Sequence, residues 1–270
     1  MKKCLFILVF SVFCSVLFTF CKQGNEDNTP KILKISNDIG LNENGFFDFL
    51  PRKTQNQIVK HDYYTLSYNE KFEQADWVAY VLKDEYIKYN SFKRPFFIND
   101  KMVTTHSADW KNYKNSGFDK GHLCPAGDMK FSKKAYFDTF LTSNISPQKH
   151  DFNDGVWNRL EEKVRYWAKK YDKLYVVSGG ILNDNLSTIG YEKVAVPNYF
   201  YKIIARGNSN DMKIIAFLIP HEESNKPLYK FVVSVDQIEK LSNQDFFPKL
   251  QDDLENKIEK SSDYKDWSFN

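Results

Sequence analysis

Along the chain the spacing of apolar positions shifts several times, and each shift marks an element. An unbroken apolar run from Cys4 to Phe20 follows the charged start Met1-Lys2-Lys3. From Lys22 to about Pro51 the sequence is polar and Asn-rich with no sustained apolar period, which predicts a tether over 22–55 and a folded domain over 56–270. Tyr63-Tyr64-Thr65-Leu66-Ser67-Tyr68 alternates as a strand does, and Ala75 to Leu82 is apolar and β-rich, so a hairpin is expected. Lys93-Arg94-Pro95-Phe96-Phe97 opens a less regular connection, and Ala135 to Phe140 fits a helical turn. Beyond Asn153 the period lengthens: Trp157, Leu160, Val164, Trp167 and Tyr171 recur at three and four residues, an amphipathic helix with Asn153 or Asp154 as its expected cap. Strands are then expected at Lys173–Ser178, stopping at Gly179-Gly180, and at 193–197, 199–205 and 213–220, with a short helix at 236–241. This order predicts an α+β domain with helices packed on a mainly antiparallel sheet.

Composition adds that 270 residues at 42% hydrophobic and 16% aromatic can bury a sizeable core. The net charge is +3, two of it from Lys2 and Lys3, so global charge barely argues for a polyanionic partner and any such footprint must be local. Residues 1–21 read as an export signal, with an uncleaved membrane anchor as the alternative, since about 20 apolar residues span a bilayer. Cys21 ends the run just before a polar stretch and resembles the lipidated cysteine of a bacterial lipoprotein, although Phe20 stands where a small residue is usual. Export from a bacterial cell is therefore expected, to the medium, the periplasm or a membrane held through Cys21. The remaining cysteine, Cys124, stands alone in the domain; no internal disulfide is available, and a packed thiol is expected.

Candidate chemistry centres on Asp119-Lys120-Gly121-His122, read as a tight turn whose glycine helps expose the histidine. Neutral imidazole takes a proton near physiological pH, so His122 suits a general base. Asn153 offers a hard amide oxygen, either a helix cap or one ligand of a water-rich magnesium site. Glu161 and Arg165 are spaced i,i+4, which fits an ordinary helical ion pair as well as a site.

These segments resemble the DNA/RNA non-specific endonuclease family, which includes endonuclease G and has the ββα-metal (His-Me finger) nuclease fold. The family's Asp-Arg-Gly-His signature is matched by Asp119-Lys120-Gly121-His122, and its later Asn, Asn, Glu and Arg by Asn144, Asn153, Glu161 and Arg165. Further landmarks, among them Trp77-Val78-Ala79-Tyr80, Arg94, Val177-Ser178-Gly179, Phe200-Tyr201-Lys202 and Phe246-Phe247-Pro248, extend the likeness over roughly residues 60 to 250. The resemblance implies that His122 activates water against phosphorus and that Asn153 holds one Mg²⁺, replaceable by Mn²⁺, with Glu161 attached to it through a water. It further implies that Asn144 orients His122 or its neighbours, that Asp119 and Lys120 belong to the catalytic group, and that Arg94, Lys120 and Arg165 grip phosphates. Products would carry a 5′-phosphate. Lys120 departs from the usual arginine: the charge is kept and the bidentate fork is lost.

The expected partner is DNA or RNA, held through phosphates with weak sequence preference; a homodimer is left open. Lys130, Lys133, Lys134, Lys149, Arg159 and Lys163 surround the motifs and either line a groove or form a solvated surface. The acidic stretch Asp252 to Glu255 is expected away from a polyanion site. His61, His106, His150 and His221 read as surface or structural groups, and their spacing suits no zinc site. Two rival classes remain: a binding module of the same fold without useful turnover, and a structural lipoprotein in which His122 and Asn153 only pack.

Overall fold

The structure is a computed structural model and describes residues 49–270, apart from 53, 208–211, 251 and 270. The export segment 1–21, Cys21 and residues 22–48 lie outside the described residues. In chain order the first elements are β1 (Gln57–Lys60), β2 (Tyr64–Asn69), β3 (Gln74–Lys83), β4 (Asp119–His122), α1 (Lys133–Asp138) and β5 (Ile145–Gln148). A π-helical turn (Phe152–Trp157) runs into α2 (Asn158–Tyr171). There follow β6 (Lys173–Gly180), β7 (Thr188–Ile189), β8 (Val194–Ala195), β9 (Tyr199–Arg206), β10 (Lys213–Pro220), β11 (Val232–Val233), α3 (Val235–Ser242) and α4 (Asp252–Glu259).

Seven of these strands form one sheet in the order β1-β2-β3-β6-β9-β10-β11, every neighbour antiparallel. Strand side chains alternate between faces, and here the alternation sorts residues into two cores. Val78, Tyr80, Leu82, Leu174, Val176, Phe200, Ile204 and Phe217 point to the face covered by α2. Trp77, Ala79, Val81, Tyr175, Val177, Tyr201, Ile203 and Leu218 point to the face that also buries Val235, Ile238, Phe246 and Phe247. The central strands are thus covered on both sides, which explains their almost continuous apolar sequence. Leu160, Val164 and Trp167 of α2 are fully buried, each contributing about 1.5–3 kcal/mol.

The hairpin, the long amphipathic helix and the α+β class agree with the sequence pattern, and Cys124 is a buried free thiol. Four readings need correction. Asp119–His122 is a strand, β4, paired with β5, because its backbone groups are satisfied by Ile145–Gln148 rather than by a turn. Neither Asn153 nor Asp154 caps α2, since the chain is already helical through the π turn and kinks at Gly155. Gly179 and Gly180 belong to β6 and pair with Tyr201 and Phe200. The expected strand 193–197 is only Val194–Ala195, paired with β7 outside the main sheet, because Pro197 has no N–H to extend a ladder. Contacts also begin ahead of residue 56: Phe49 is buried and stacks on Tyr175 at 3.9 Å, and Arg52 pairs with Asp245 at 2.6 Å.

Gly121 has a packing cause. A Cβ at this position would overlap the side chain of Gln148, buried on the facing strand. Gly121→Ala is expected to lower unfolding free energy by about 1–3 kcal/mol, and Gln148→Ala in the same chain to recover part of that loss. Urea unfolding of both single variants and the double variant checks this; simple additivity would contradict it.

Candidate active site

β4, β5 and the π turn leading into α2 form a small ββα unit on the α2 face of the sheet. At the end of β4, the His122 ring lies 5.5 Å from Phe97 and 5.0 Å, edge-on, from Phe140. The residue as a whole is half-buried, yet its Nε2 is shut off from solvent and has no hydrogen-bond partner. Burial and then the nearby Arg94 guanidinium push the imidazole down to about 3, so it is neutral at physiological pH. The Arg94 guanidinium sits 5.8 Å from the Phe97 ring and 5.4 Å from Phe140, and Lys120 Nζ lies 5.6 Å from Phe97 and 5.7 Å from Tyr113. Burial followed by repulsion from Arg94 lowers the Lys120 ammonium below its usual range. Arg94, Phe96, Phe97, Trp110 and Lys120 line a groove of about 600 Å³. The structure therefore brings His122, Lys120 and Arg94 together around one aromatic ring.

Asp119, at the start of β4, links this strand to the π turn. Its Oδ2 accepts from Asn153 Nδ2 at 3.1 Å and lies 2.9 Å from Nδ1 of exposed His150. This engages the Asn153 amino group and leaves the carbonyl Oδ1 without a partner among the described hydrogen bonds. An amide oxygen is a hard donor of the kind that magnesium-type cations take, and thiolates are absent from the residues beside it. Asn144 acts further back: its Oδ1 accepts from Cys124 N at 2.8 Å, and its Nδ2 donates to the carbonyls of Cys124 at 3.0 Å and Thr139 at 2.9 Å. It positions the backbone that follows His122 and makes no bond to the imidazole.

On α2 the expected helical ion pair proves secondary. Arg165 Nη1 is 2.9 Å from Oδ1 of fully buried Asp128 and 4.0 Å from Glu161 Oε2. Tyr80 donates to the other Asp128 oxygen at 2.9 Å. The absence of a side chain at Gly127 makes room, since a Cβ there would stand 3.0 Å from Arg165 Nη1. Beneath them Lys202 of β9 is wholly buried; its Nζ donates to Ser178 Oγ at 2.6 Å and lies 4.6 Å over the Trp157 ring. Burial pushes the Glu161 carboxyl up and the Lys202 ammonium down, and the attraction between the two opposes both shifts. Asp128 and Lys202 had no assigned role in the sequence reading. A lysine at an inward phase of a strand, between Phe200 and Ile204, was the available signal.

Three of the six lysines and arginines around the motifs have structural work. Lys134 pairs with Asp62 and Asp138, Arg159 donates to the carbonyls of Ser224 and Lys226, and Lys163 donates to that of Phe269. Lys130 instead lines a second groove, of about 440 Å³, with Lys88, Tyr89, Arg165, Tyr166 and Lys169. His61 is buried against Asp100 at 2.8 Å. His221 accepts from Lys149 N at 2.6 Å while its Nδ1 donates to Pro197 O at 2.8 Å, a neutral clamp on the end of β5 whose pKa burial lowers to about 4.

A family model described as DNA/RNA non-specific endonuclease matches residues 47–253, from ahead of β1 to the start of α4. Mitochondrial nuclease EXOG of Mus musculus is 34% identical over 205 residues, which are 69% of this chain and 56% of that protein. Mitochondrial endonuclease G of Homo sapiens is 30% identical over 209 residues, 72% of this chain and 70% of that one. A nuclease of Nostoc sp. is 30% identical over 223 residues, 76% and 79% of the two chains. The chain thus spans little more than half the length of the EXOG protein it matches. A chain in the crystal structure of the EndoG/EndoGI complex superposes with a TM-score of 0.67 at 27% identity, covering 73% of this chain and 88% of that one. With the ββα unit, His122 and Asn153 in these positions, the chain belongs to the DNA/RNA non-specific endonuclease family.

Proposed function

We propose that the chain is an exported endonuclease that hydrolyses phosphodiester bonds of DNA, RNA or both with little sequence preference, using His122 as general base and one Mg²⁺, or Mn²⁺, at Asn153. The observation that carries this reading is a neutral imidazole whose Nε2 has no partner, packed with the cations Arg94 and Lys120 around the Phe97 ring, on the strand that Asp119 ties to Asn153. A phosphodiester has the charge that the two cations lack, and contacts to phosphate carry no base information. The apolar run behind Met1-Lys2-Lys3 supports export, to the periplasm, the medium or a lipid anchor at Cys21.

In the proposed reaction an oxygen of water bonds to phosphorus, His122 takes the water proton, and the bond from phosphorus to the 3′-oxygen breaks. The products carry a 5′-phosphate and a 3′-hydroxyl. A divalent cation held by Asn153, with Glu161 in support, would supply Lewis-acid polarisation of the phosphate and stabilise the leaving oxygen. Arg94 and Lys120 hold the phosphate, and Arg165 offers its remaining donors from the Asp128 tether. A resting imidazole at about 3 is a weak base; the phosphodiester's negative charge offsets Arg94 and Lys120, so basicity rises when substrate fills the groove.

His122→Ala is expected to reduce cleavage by at least the roughly 10²–10⁴-fold of general-base catalysis while thermal unfolding stays near wild type, and excess EDTA is expected to stop the intact protein. Plasmid and total-RNA digestion checks both; undiminished cleavage by the variant overturns the mechanism.

The pH dependence has a definite sign. The acid limb of kcat/KM reports the free enzyme, where burial and Arg94 hold His122 low, and the limb of kcat reports the complex, where phosphate raises it. The kcat limb should therefore lie at higher pH; coincident limbs would count against His122 as the base. Lys120→Ala is expected to weaken DNA binding and to reduce the slope of log K against log salt by about one phosphate contact's worth, measured by fluorescence anisotropy across a salt series.

A further inference from the structure

On the sheet face opposite α2, three acidic side chains converge where α4 meets α3. Asp236 and Glu239 stand a turn apart on α3, Glu259 ends α4, and one oxygen from each lies within 4.8 Å of the others. Glu259 is only 7% exposed, and its Oε1 is buried without a hydrogen-bond partner. Glu239 spends one oxygen on the backbone N–H of Phe246 at 2.7 Å. The neighbouring charges that act most on Glu259 are all carboxylates: Glu239, Glu255, Asp236 and Asp245. Burial first, and then those neighbours, push its carboxyl up to about 8. Arg52 is already committed to Asp245 at 2.6 Å.

A buried carboxylate facing other carboxylates needs a counter-charge or a proton. We propose that Asp236, Glu239 and Glu259 bind a hard divalent cation, Ca²⁺, which fastens α4 to α3. All the protein donors are oxygens, with no imidazole or thiolate, and Ca²⁺ takes carboxylates, backbone carbonyls and waters in flexible geometry. Asp236 and Glu239 are half-buried, so the site is open enough for waters to complete the shell. This cation is separate from the one proposed at Asn153, because the sheet stands between α2 and α3.

The test uses the Asn153→Ala chain, which lacks the other proposed cation ligand. Thermal unfolding after chelator treatment, at pH 8 with and without millimolar Ca²⁺, is expected to show a rise of several degrees with calcium. Adding Glu259→Gln should raise Tm in chelator, by removing repulsion, and abolish the calcium response; Asp236→Asn should weaken that response. Equilibrium dialysis of the chain with Asn153 intact should find one more calcium bound than in its Glu259→Gln variant. No calcium shift, an equal shift in the Glu259→Gln chain, or equal calcium counts would overturn the proposal, leaving a shared proton as the counter-charge.

Discussion

Four charged side chains, Asp128, Glu161, Arg165 and Lys202, meet under α2, and loss of any single one leaves their formal charges unbalanced. Isolated burial of any one would cost several kcal/mol. Asp128 comes from the turn after β4, Glu161 and Arg165 from α2, and Lys202 from β9 of the main sheet. The group thus joins the ββα unit to the sheet by charge as well as by packing. Tyr80 donates a further hydrogen bond to Asp128, and Ser178 accepts one from Lys202. Such a network is costly to form and intolerant of partial removal, which suits a device that must hold Glu161 and Arg165 in one arrangement.

From that base the site is assembled in layers. The network sets α2, and the π turn ahead of α2 delivers Asn153 to Asp119. β4 carries Asp119 and Lys120 into the same unit, while Asn144 fixes the backbone behind His122 through three hydrogen bonds. The cations that would meet substrate rest on Phe97 and Phe140 rather than on carboxylates, so their charge is not already neutralised. For the proposed role in holding phosphate this would be electrostatic preorganisation, positive charge fixed in a groove ahead of the anion.

The sheet strands and α2 were legible because their apolar period is long and set by one or two buried faces. Asp119-Lys120-Gly121-His122 was legible as chemistry and misread as structure. A single glycine in a polar tetrapeptide signals a turn locally, and its true cause, the Gln148 side chain on a strand 27 residues away, is invisible to local reasoning. Asn153 likewise looked like a cap because its position before an apolar helix fits one; only the π turn reassigns its amide to Asp119. The Asp128–Arg165 pair spans 37 residues, so the nearer Glu161 took the assignment by spacing alone. Lys202 stood among the family landmarks without a role, although a charge at a core phase of a strand is itself a signal.

The sheet ends at both margins in short strands. β1 has four residues and β11 only two, so neither edge strand offers another chain a long ladder to extend. Short edge strands of this kind protect a chain against edge-to-edge polymerisation. An association built from side-chain surfaces can be made specific, whereas one built from backbone pairing cannot.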